Sequence, residues 1–201
     1  MKILAFTDIH GSLLAFKRIE SKVRISKPDL IICTGDVSIF ERGILGILKR
    51  LNRLGKEVVI IHGNHESEKT FLKHSKILKN IIYIHNKSFT KGNYLFLGNG
   101  GEGFSIIDRK FEKVARNVFE PIIHHNKEKK IILLTHAPPY KTRLDNIVDG
   151  HCGNKSIRTF IEKNKIDLHF CGHIHENFGK EDKTKKTRII NPGPFGKIIV
   201  I

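Results

Sequence analysis

The sequence predicts an α/β protein built as a layered sandwich of sheets and helices. Over the first half of the 201-residue chain, short β-type runs alternate with segments whose apolar residues follow helical spacing. That order is typical of parallel strands joined by crossover helices. In the second half the β-type runs follow one another more closely, which indicates hairpins and a mixed second sheet.

The individual elements follow from the same patterns. Short β-type runs predict strands at residues 3–6, 30–34, 58–61, 81–84, 94–97, 131–135, 168–171, 188–190 and 198–201. Apolar residues at helical intervals predict helices at residues 12–26, 44–54, 67–78, 109–126 and 154–164, with Ser12 and Asn154 as N-caps. No repeat or proline-rich linker divides the sequence, so we expect a single domain over residues 1–201.

The composition excludes several classes of protein. The first apolar stretch spans four residues, and no later run approaches the roughly 18 residues of a membrane helix. The three cysteines, at positions 33, 152 and 171, are widely spaced, which is typical of reduced, structural thiols. We therefore expect a soluble cytoplasmic protein with no membrane partner, and the oligomeric state stays open.

The charge favours an anionic partner without identifying it. The formal net charge is +16 and the isoelectric point is near 9.9, and excess positive charge concentrates phosphate-bearing molecules near a surface. The lysines are scattered, however, and no aromatic residues alternate with them as a single-strand stacking platform requires. A solvated lysine-rich surface is thus favoured over a dedicated nucleic-acid site.

Polar residues of an unusual kind follow five of the predicted strands. Ligands of open α/β sheets gather beyond the carboxyl ends of strands, where loops converge. Histidine, aspartate and asparagine together offer neutral nitrogen, anionic oxygen and carbonyl oxygen, a mixed set suited to divalent ions. In extended backbone, Asp8 and His10 would project to one side, as would His173 and His175. The five groups are Asp8-Ile9-His10, Gly35-Asp36, Gly63-Asn64-His65-Glu66, Thr135-His136 and Gly172-His173-Ile174-His175.

These five groups match, in order, the signature blocks of the calcineurin-like metallophosphoesterase superfamily. The sequence resembles that superfamily from Asp8 to His175, nearly its whole length. The resemblance implies a four-layer αββα sandwich of two mixed sheets flanked by helices. It also implies two metal ions. Their ligands would be Asp8, His10, Asp36 and His175 on one ion, and Asp36, Asn64, His136 and His173 on the other.

The implied activity is that of a metal-dependent phosphoric ester hydrolase. Two cations about 3.5 to 4 Å apart need a shared anion, which Asp36 and a bridging hydroxide supply. The hydroxide would attack phosphorus, and His65 would stabilise the transition state or protonate the leaving group. We favour manganese, although iron, nickel, cobalt and zinc fit the same ligands.

The blocks resemble small phosphodiesterases more than protein phosphatases. Ile39 stands where protein phosphatases carry a second aspartate, so His65 lacks its usual acidic partner. We expect a small phosphodiester or cyclic nucleotide as substrate. Two alternatives stay open: a DNA nuclease, whose relatives usually carry further domains, and a non-catalytic adaptor of the same fold, which the complete ligand set disfavours.

Three further segments have two interpretations or a supporting role. Residues 149–154 either line the substrate pocket or form a glycine-rich turn capped by Asn154. Residues 191–194 resemble a turn that supports the site, and the glycines between residues 98 and 103 indicate a loop packed close to the ions. The remaining histidines are expected at the surface or in packing, with His151 the strongest exception.

Overall fold

Thirteen strands are present in the computed structural model of the protein, which describes residues 1–101 and 103–201. They alternate with helices up to β4 and follow one another more closely afterwards. The strands are β1 (Lys2–Phe6), β2 (Leu30–Cys33), β3 (Val58–Ile60), β4 (Ile81–Tyr83), β5 (Lys87–Lys91), β6 (Tyr94–Asn99), β7 (Lys130–Thr135), β8 (Asn146–Ile147), β9 (Gly150–His151), β10 (Leu168–Phe170), β11 (Glu181–Thr184), β12 (Thr187–Ile190) and β13 (Lys197–Val200).

Four of the described helices begin after a capping side chain: Ser12, Ser67, Asp108 or Asn154. Ser12 accepts a hydrogen bond from the amide of Ala15, and Asn154 accepts one from the amide of Ile157, which satisfies amides at two helix starts. A π-helical turn at Ala115–Phe119 joins two short helices into one continuous rod. The helices are α1 (Leu13–Ser26), α2 (Ile44–Asn52), α3 (Glu68–Ser75), α4 (Arg109–Val114), α5 (Glu120–His124) and α6 (Lys155–Lys163).

Two large mixed sheets organise the strands. The first has the order β13-β1-β2-β3-β4, in which β1 to β4 are parallel and β13 is antiparallel. The second has the order β11-β12-β10-β7-β6-β5, with a parallel centre and an antiparallel hairpin at each edge. Strands β8 and β9 form a separate hairpin.

Three buried clusters show that the sheets and helices stack in four layers. One cluster joins the outer face of the first sheet to α1, α2 and α3. The second joins the facing surfaces of the two sheets and includes Phe96 and Phe170. The third joins the outer face of the second sheet to α4, α5 and α6. The predicted αββα sandwich of two mixed sheets is therefore confirmed.

All nine predicted strands and all five predicted helices are present, with bounds that differ by a few residues. Four strands were not predicted: β5, β8, β9 and β11. Two of them are the edge strands of the second sheet, and their sequences are mostly polar because an edge strand stays partly exposed. Among the described residues, no helix is long and apolar enough to cross a membrane.

The core between the sheets predicts a large effect of truncation. Phe170 is fully buried there, so Phe170→Ala should lower the free energy of unfolding by about 3–5 kcal/mol, through lost burial and the cavity left behind. Urea denaturation with a chelator present measures this without a contribution from bound metal. Val200→Ala, at an exposed position on β13, is the control, and a loss below about 1 kcal/mol at Phe170 would contradict the assigned core.

Candidate metal centre

Both sheets direct the carboxyl ends of their parallel strands toward one edge of the sandwich. Hydrogen bonds link the loops there: the amide of Asp8 donates to the carbonyl of Gly35, and the amide of Gly172 donates to the carbonyl of His136. All the residues that the sequence singled out follow these strand ends. They are Asp8 and His10 after β1, Asp36 after β2, Asn64 and His65 after β3, His136 after β7, and His173 and His175 after β10.

Asp8, His10 and His175 form one group of converging donor atoms, all within 4.8 Å of one another. The two Nε2 atoms of His10 and His175 are 3.3 Å apart, and His175 Nε2 is 3.5 Å from Asp8 Oδ1. His10 Nδ1–H donates to the carbonyl of Ser38, which leaves the Nε2 lone pair free. Two imidazole lone pairs that face each other fit a cation between them.

Asp36 and His136 form a second group together with Asp8. His136 Nδ1–H donates to the backbone carbonyl of Thr34, and its Nε2 lies 3.0 Å from Asn64 Oδ1 and 3.4 Å from Asp36 Oδ2. A backbone acceptor on one ring nitrogen orients the other nitrogen, as is typical of metal-binding histidines. Asp8 and Asp36 thus bring two carboxylates to a site otherwise lined by imidazole and amide groups.

Two buried atoms of the predicted ligands lack a hydrogen-bond partner in the described part of the chain. They are Asp8 Oδ1 and His173 Nε2. A buried polar atom without a partner costs about 1–3 kcal/mol, so such atoms need a ligand. Together with the mixed nitrogen and oxygen donors, they show that the residues present fit divalent metal ions.

The backbone that positions these side chains differs from the extended one that the sequence predicts. Strand β1 ends at Phe6, and Asp8, His10, Asp36 and His173 have left-handed conformations with φ between 44° and 68°. The expectation that alternation along a strand aligns each pair is therefore wrong. Left-handed turns after the strands align them instead, at a cost of about 1–3 kcal/mol each.

Glu66 holds two of the site loops together, a role that the sequence did not indicate. Its buried carboxylate accepts hydrogen bonds from the amides of Asp36, Ser38 and Gly63 and from the hydroxyl of Ser38. Burial, together with the nearby charge of Asp36, raises the pKa of Glu66. An acidic residue just before a helix resembles an ordinary helix-start residue in sequence, which is why its role was missed.

Glycine allows the loops to approach each other closely. A Cβ at Gly63 would overlap the carboxylate of Asp36, and one at Gly172 would overlap Thr7 and Asp8. The predicted close packing of the loop at 98–103 is present as well, because Gly100 lies against His62 and Gly103 lies against His173.

His65 belongs to a third group of converging donor atoms, together with His10 and Asp36. Its Nε2 is 3.9 Å from Asp36 Oδ2, and its backbone amide donates to Asp36 Oδ1. Its Nδ1 is buried and has no hydrogen-bond partner within residues 1–101 and 103–201. Ile39, at the position of the absent aspartate, is exposed and offers no acidic group.

The remaining segments support the site from outside. Asn154 caps α6, as the turn interpretation of residues 149–154 predicts, Gly150 and His151 form β9, and His151 Nδ1 lies 2.9 Å from a carboxylate oxygen of the buried Asp145. In the 191–194 turn, the carbonyl of Gly193 accepts from the amide of Thr7, at the end of β1. Cys33 and Cys171 are buried and Cys152 is partly buried, all three as free thiols.

The charges at the centre are strongly coupled. Burial would raise the pKa of Asp36, but the hydrogen bond and charge of His136 lower it to about 2. Burial opposes charge on His136 too, yet its hydrogen bond to Asp36 and the charges of Asp8 and Asp36 raise its pKa to about 9. Burial, followed by the charge of His136, lowers the pKa of His173 to about 4. At neutral pH, Asp36 is thus anionic and His173 is a neutral nitrogen donor.

The fold and the site define a metal-dependent hydrolase of phosphoric esters. A family model described as calcineurin-like phosphoesterase matches residues 1–177, and the chain belongs to this family. It is also 32% identical to an uncharacterized protein of Methanocaldococcus jannaschii, over 96% of this chain and 88% of that protein.

Solved structures share the fold at low sequence identity. The TT1561 protein of Thermus thermophilus superimposes with a TM-score of 0.77 and 17% identity, over 96% of this chain and 89% of that one. A dimetal phosphatase from Danio rerio superimposes with a TM-score of 0.68 and 10% identity, over 94% of this chain and 86% of that one. At such identities the likeness concerns the fold alone.

The role of Glu66 predicts a loss of metal affinity on substitution. Glu66→Gln replaces one acceptor oxygen by an amide that faces donors, so the loops that carry Asp36 and Ser38 should shift. We expect affinity for Mn²⁺ to fall by about 10- to 100-fold, as is typical of groups that orient metal ligands. Equilibrium dialysis with metal analysis measures it. Glu68→Gln, at an exposed neighbour on α3, is the control, and equal affinities would contradict the role.

The raised pKa of His136 predicts that metal binding releases a proton. Below its pKa of about 9, His136 is protonated in chelator-treated protein, whereas a nitrogen ligand must be neutral. Binding of Mn²⁺ should therefore release about one proton from His136 at about pH 7, and apparent affinity should rise between about pH 7 and 8.5. Calorimetry in two buffers of different ionisation enthalpy counts the proton. The release should be absent in His136→Gln, and its persistence there would refute the assignment.

Proposed function

We propose that the protein is a phosphodiesterase that uses two divalent ions to hydrolyse small phosphodiesters, cyclic nucleotides among them. The observation that carries the proposal is a cleft of about 300 Å³ that opens directly onto the donor atoms. Its lining combines polar groups of the centre with apolar side chains. The lining residues are Asp36, Asn64, His65, Phe104, Ile147, His173, Ile174, His175 and Glu176.

Three overlapping groups of donors, which share Asp8, His10 and Asp36, offer enough ligands for two ions. Asp8, His10, Asp36 and His175 would hold one ion, and Asp36, Asn64, His136 and His173 would hold the other, with Asp36 shared. When bound, such a pair supplies an activated water as nucleophile and positive charge for the phosphoryl oxygens. The chain orients its ligands through backbone contacts, as in the bonds of His10 to Ser38 and of His136 to Thr34.

His65 is the proposed proton donor to the leaving group. It lines the cleft, and the amide bond to Asp36 Oδ1 ties its backbone to the shared carboxylate. Its Nε2 lies 3.9 Å from Asp36 Oδ2, so the ring is held beside the centre, where it passes a proton to the departing alkoxide. Such general acid catalysis typically contributes about 10²- to 10⁴-fold in rate.

The charges of the cleft favour a diester over a monoester. No lysine or arginine is among the described residues that line it, and Glu176 adds an acidic side chain. A phosphomonoester is a dianion near neutral pH, and its second charge would need an additional cation. A diester carries one charge and two organic groups, which suits a cleft whose other walls are Phe104, Ile147 and Ile174.

The same absence of lysine and arginine from the described cleft lining weighs against the nuclease alternative. Nucleic-acid binding depends on cationic contacts to successive phosphates, whereas the lysines here are spread over the surface. We also place the reaction in the cytoplasm, because the three cysteines are free.

Reconstitution with single metals tests the proposed reaction. Protein stripped by a chelator should be inactive, and manganese should restore hydrolysis of bis-p-nitrophenyl phosphate better than nickel or zinc. The described lining of the cleft holds no lysine or arginine. The kcat/KM for bis-p-nitrophenyl phosphate should therefore exceed the kcat/KM for p-nitrophenyl phosphate by about tenfold or more. A preference for the monoester would refute the diester assignment, and degradation of DNA with steep salt dependence would favour the nuclease.

The role of His65 has its own test. His65→Ala should keep two ions per chain and lower kcat for bis-p-nitrophenyl phosphate by about 10²- to 10⁴-fold, because only the proton donor is removed. Metal analysis and steady-state kinetics on the same preparation separate the two effects. His124→Ala, at an exposed histidine on α5, should match the unmodified protein. Loss of an ion from His65→Ala would show that His65 is a ligand.

A further inference from the structure

Two exposed phenylalanines cover histidines of the metal centre. Phe40 stacks on His65 with a centroid distance of 4.4 Å, and Phe104 meets His173 edge to face at 4.4 Å. Each phenylalanine is 71% exposed, although most of the 13 phenylalanines in the chain are buried. Both histidines and Phe104 line the same cleft, and Phe40 adjoins the cleft through its contact with His65, so two exposed rings flank the centre.

The backbone of Phe40 is held in an unfavourable conformation. Phe40 and Glu41 have φ values of 47° and 63°, a region that bulky residues rarely adopt. The Glu41 carboxylate accepts hydrogen bonds from the amide and hydroxyl of Ser67 and from the hydroxyl of Thr70. These bonds fasten the loop to the start of α3. Strain that persists because neighbours enforce it is concentrated at functional sites.

The position of Phe104 depends on the glycine before it. A Cβ at Gly103 would lie 3.2 Å from Cε1 of His173 and 3.5 Å from Cγ of Asn64, so the chain passes close to the centre and a larger residue at position 103 would press on the ring of His173. This close approach brings the ring of Phe104 to the cleft, beside Ile147 of the β8–β9 hairpin.

We propose that Phe40 and Phe104 determine specificity by binding a planar aromatic group that is attached to the phosphoryl group of the substrate. The inference rests on the proposed function and names its substrate class: aryl or nucleoside phosphodiesters. Aromatic rings prefer offset-stacked or edge-to-face contacts with other rings. Bases stack on such side chains with little dependence on sequence, because every base has a π-face.

The aromatic class fits the cleft better than an aliphatic one. Each ring packs against one histidine of the centre and leaves its remaining surface exposed, and flat aromatic surfaces favour flat ligands. The lining offers few hydrogen-bond donors beyond the centre itself, which makes contact with a ring face the main source of discrimination between organic groups.

Equilibrium binding of two inert phosphonates tests the inference. Calorimetry would measure the binding of the monomethyl esters of phenylphosphonic and methylphosphonic acid to manganese-loaded protein, so that both ligands present the same singly charged group, as a diester does. We expect the unmodified protein to bind the phenyl ligand about tenfold more tightly or better, through ring contacts. Phe40→Ala and Phe104→Ala should each lower the ratio of the two affinities several-fold, because binding of the phenyl ligand weakens. The double variant should bring that ratio near one.

Controls separate this inference from the proposed function. Ile25→Ala removes an exposed apolar residue at the far end of α1 and should leave the ratio of the two affinities unchanged. Phe104→Tyr keeps an aromatic ring and should preserve most of that ratio. Equal binding of both phosphonates by a protein that hydrolyses bis-p-nitrophenyl phosphate would overturn the inference alone. Failure to bind either phosphonate or to hydrolyse any diester would overturn the proposed function. Thermal unfolding of each variant shows whether the Phe40 loop substitution perturbs the fold, and Phe104→Ala then decides.

Discussion

The buried carboxylate of Glu66 is the contact on which the geometry of the centre depends. Its two oxygens accept the amides of Asp36, Ser38 and Gly63, which lie on two loops from neighbouring parallel strands. The carbonyl of Ser38 in turn accepts from His10 Nδ1, so the orientation of a proposed ligand on a third loop follows from the same carboxylate. One acidic side chain thus fixes the loops after β2 and β3 relative to each other and, through Ser38, orients His10 on the loop after β1.

Such fixed geometry has an energetic cost. Four residues of the centre have left-handed backbones, and each carries about 1–3 kcal/mol of strain. Hydrogen bonds between loops offset that strain, among them the bonds from the amide of His173 to Asp8 and from the amide of His65 to Asp36. These bonds use the carboxylates as acceptors before any ion binds, which limits reorganisation on metal binding. The centre is preorganised, and preorganised charge is the larger part of catalysis by such sites.

The sequence predicted most of the fold and singled out the residues whose donor atoms converge at the centre, while their division into ligands and proton donor stays a prediction. Apolar runs identify the central strands because these strands are buried on both faces. The ligand blocks stand out because their polar residues directly follow these apolar runs. The edge strands β5 and β11 were missed because partial exposure leaves no apolar run. The left-handed turns at Asp8 and Asp36 were missed because a pattern of residue types does not encode φ. The role of Glu66 was missed because its partners are mostly backbone amides, which no pattern of side chains reveals.

The charge of the whole chain and the charge of the cleft act at different distances. The net charge of +16 resides on scattered surface lysines, which raise the local concentration of anions but are screened beyond about 10 Å. Within the cleft, the described lining holds no lysine or arginine and includes carboxylates. Attraction to the surface and capture at the site therefore depend on different groups: in the proposed reaction, lysines would bring the anion near and bound cations would hold it. Since the ions would bind the phosphoryl group that every such ester shares, substrates would be distinguished by the charge of the ester and by the organic groups that meet the apolar walls.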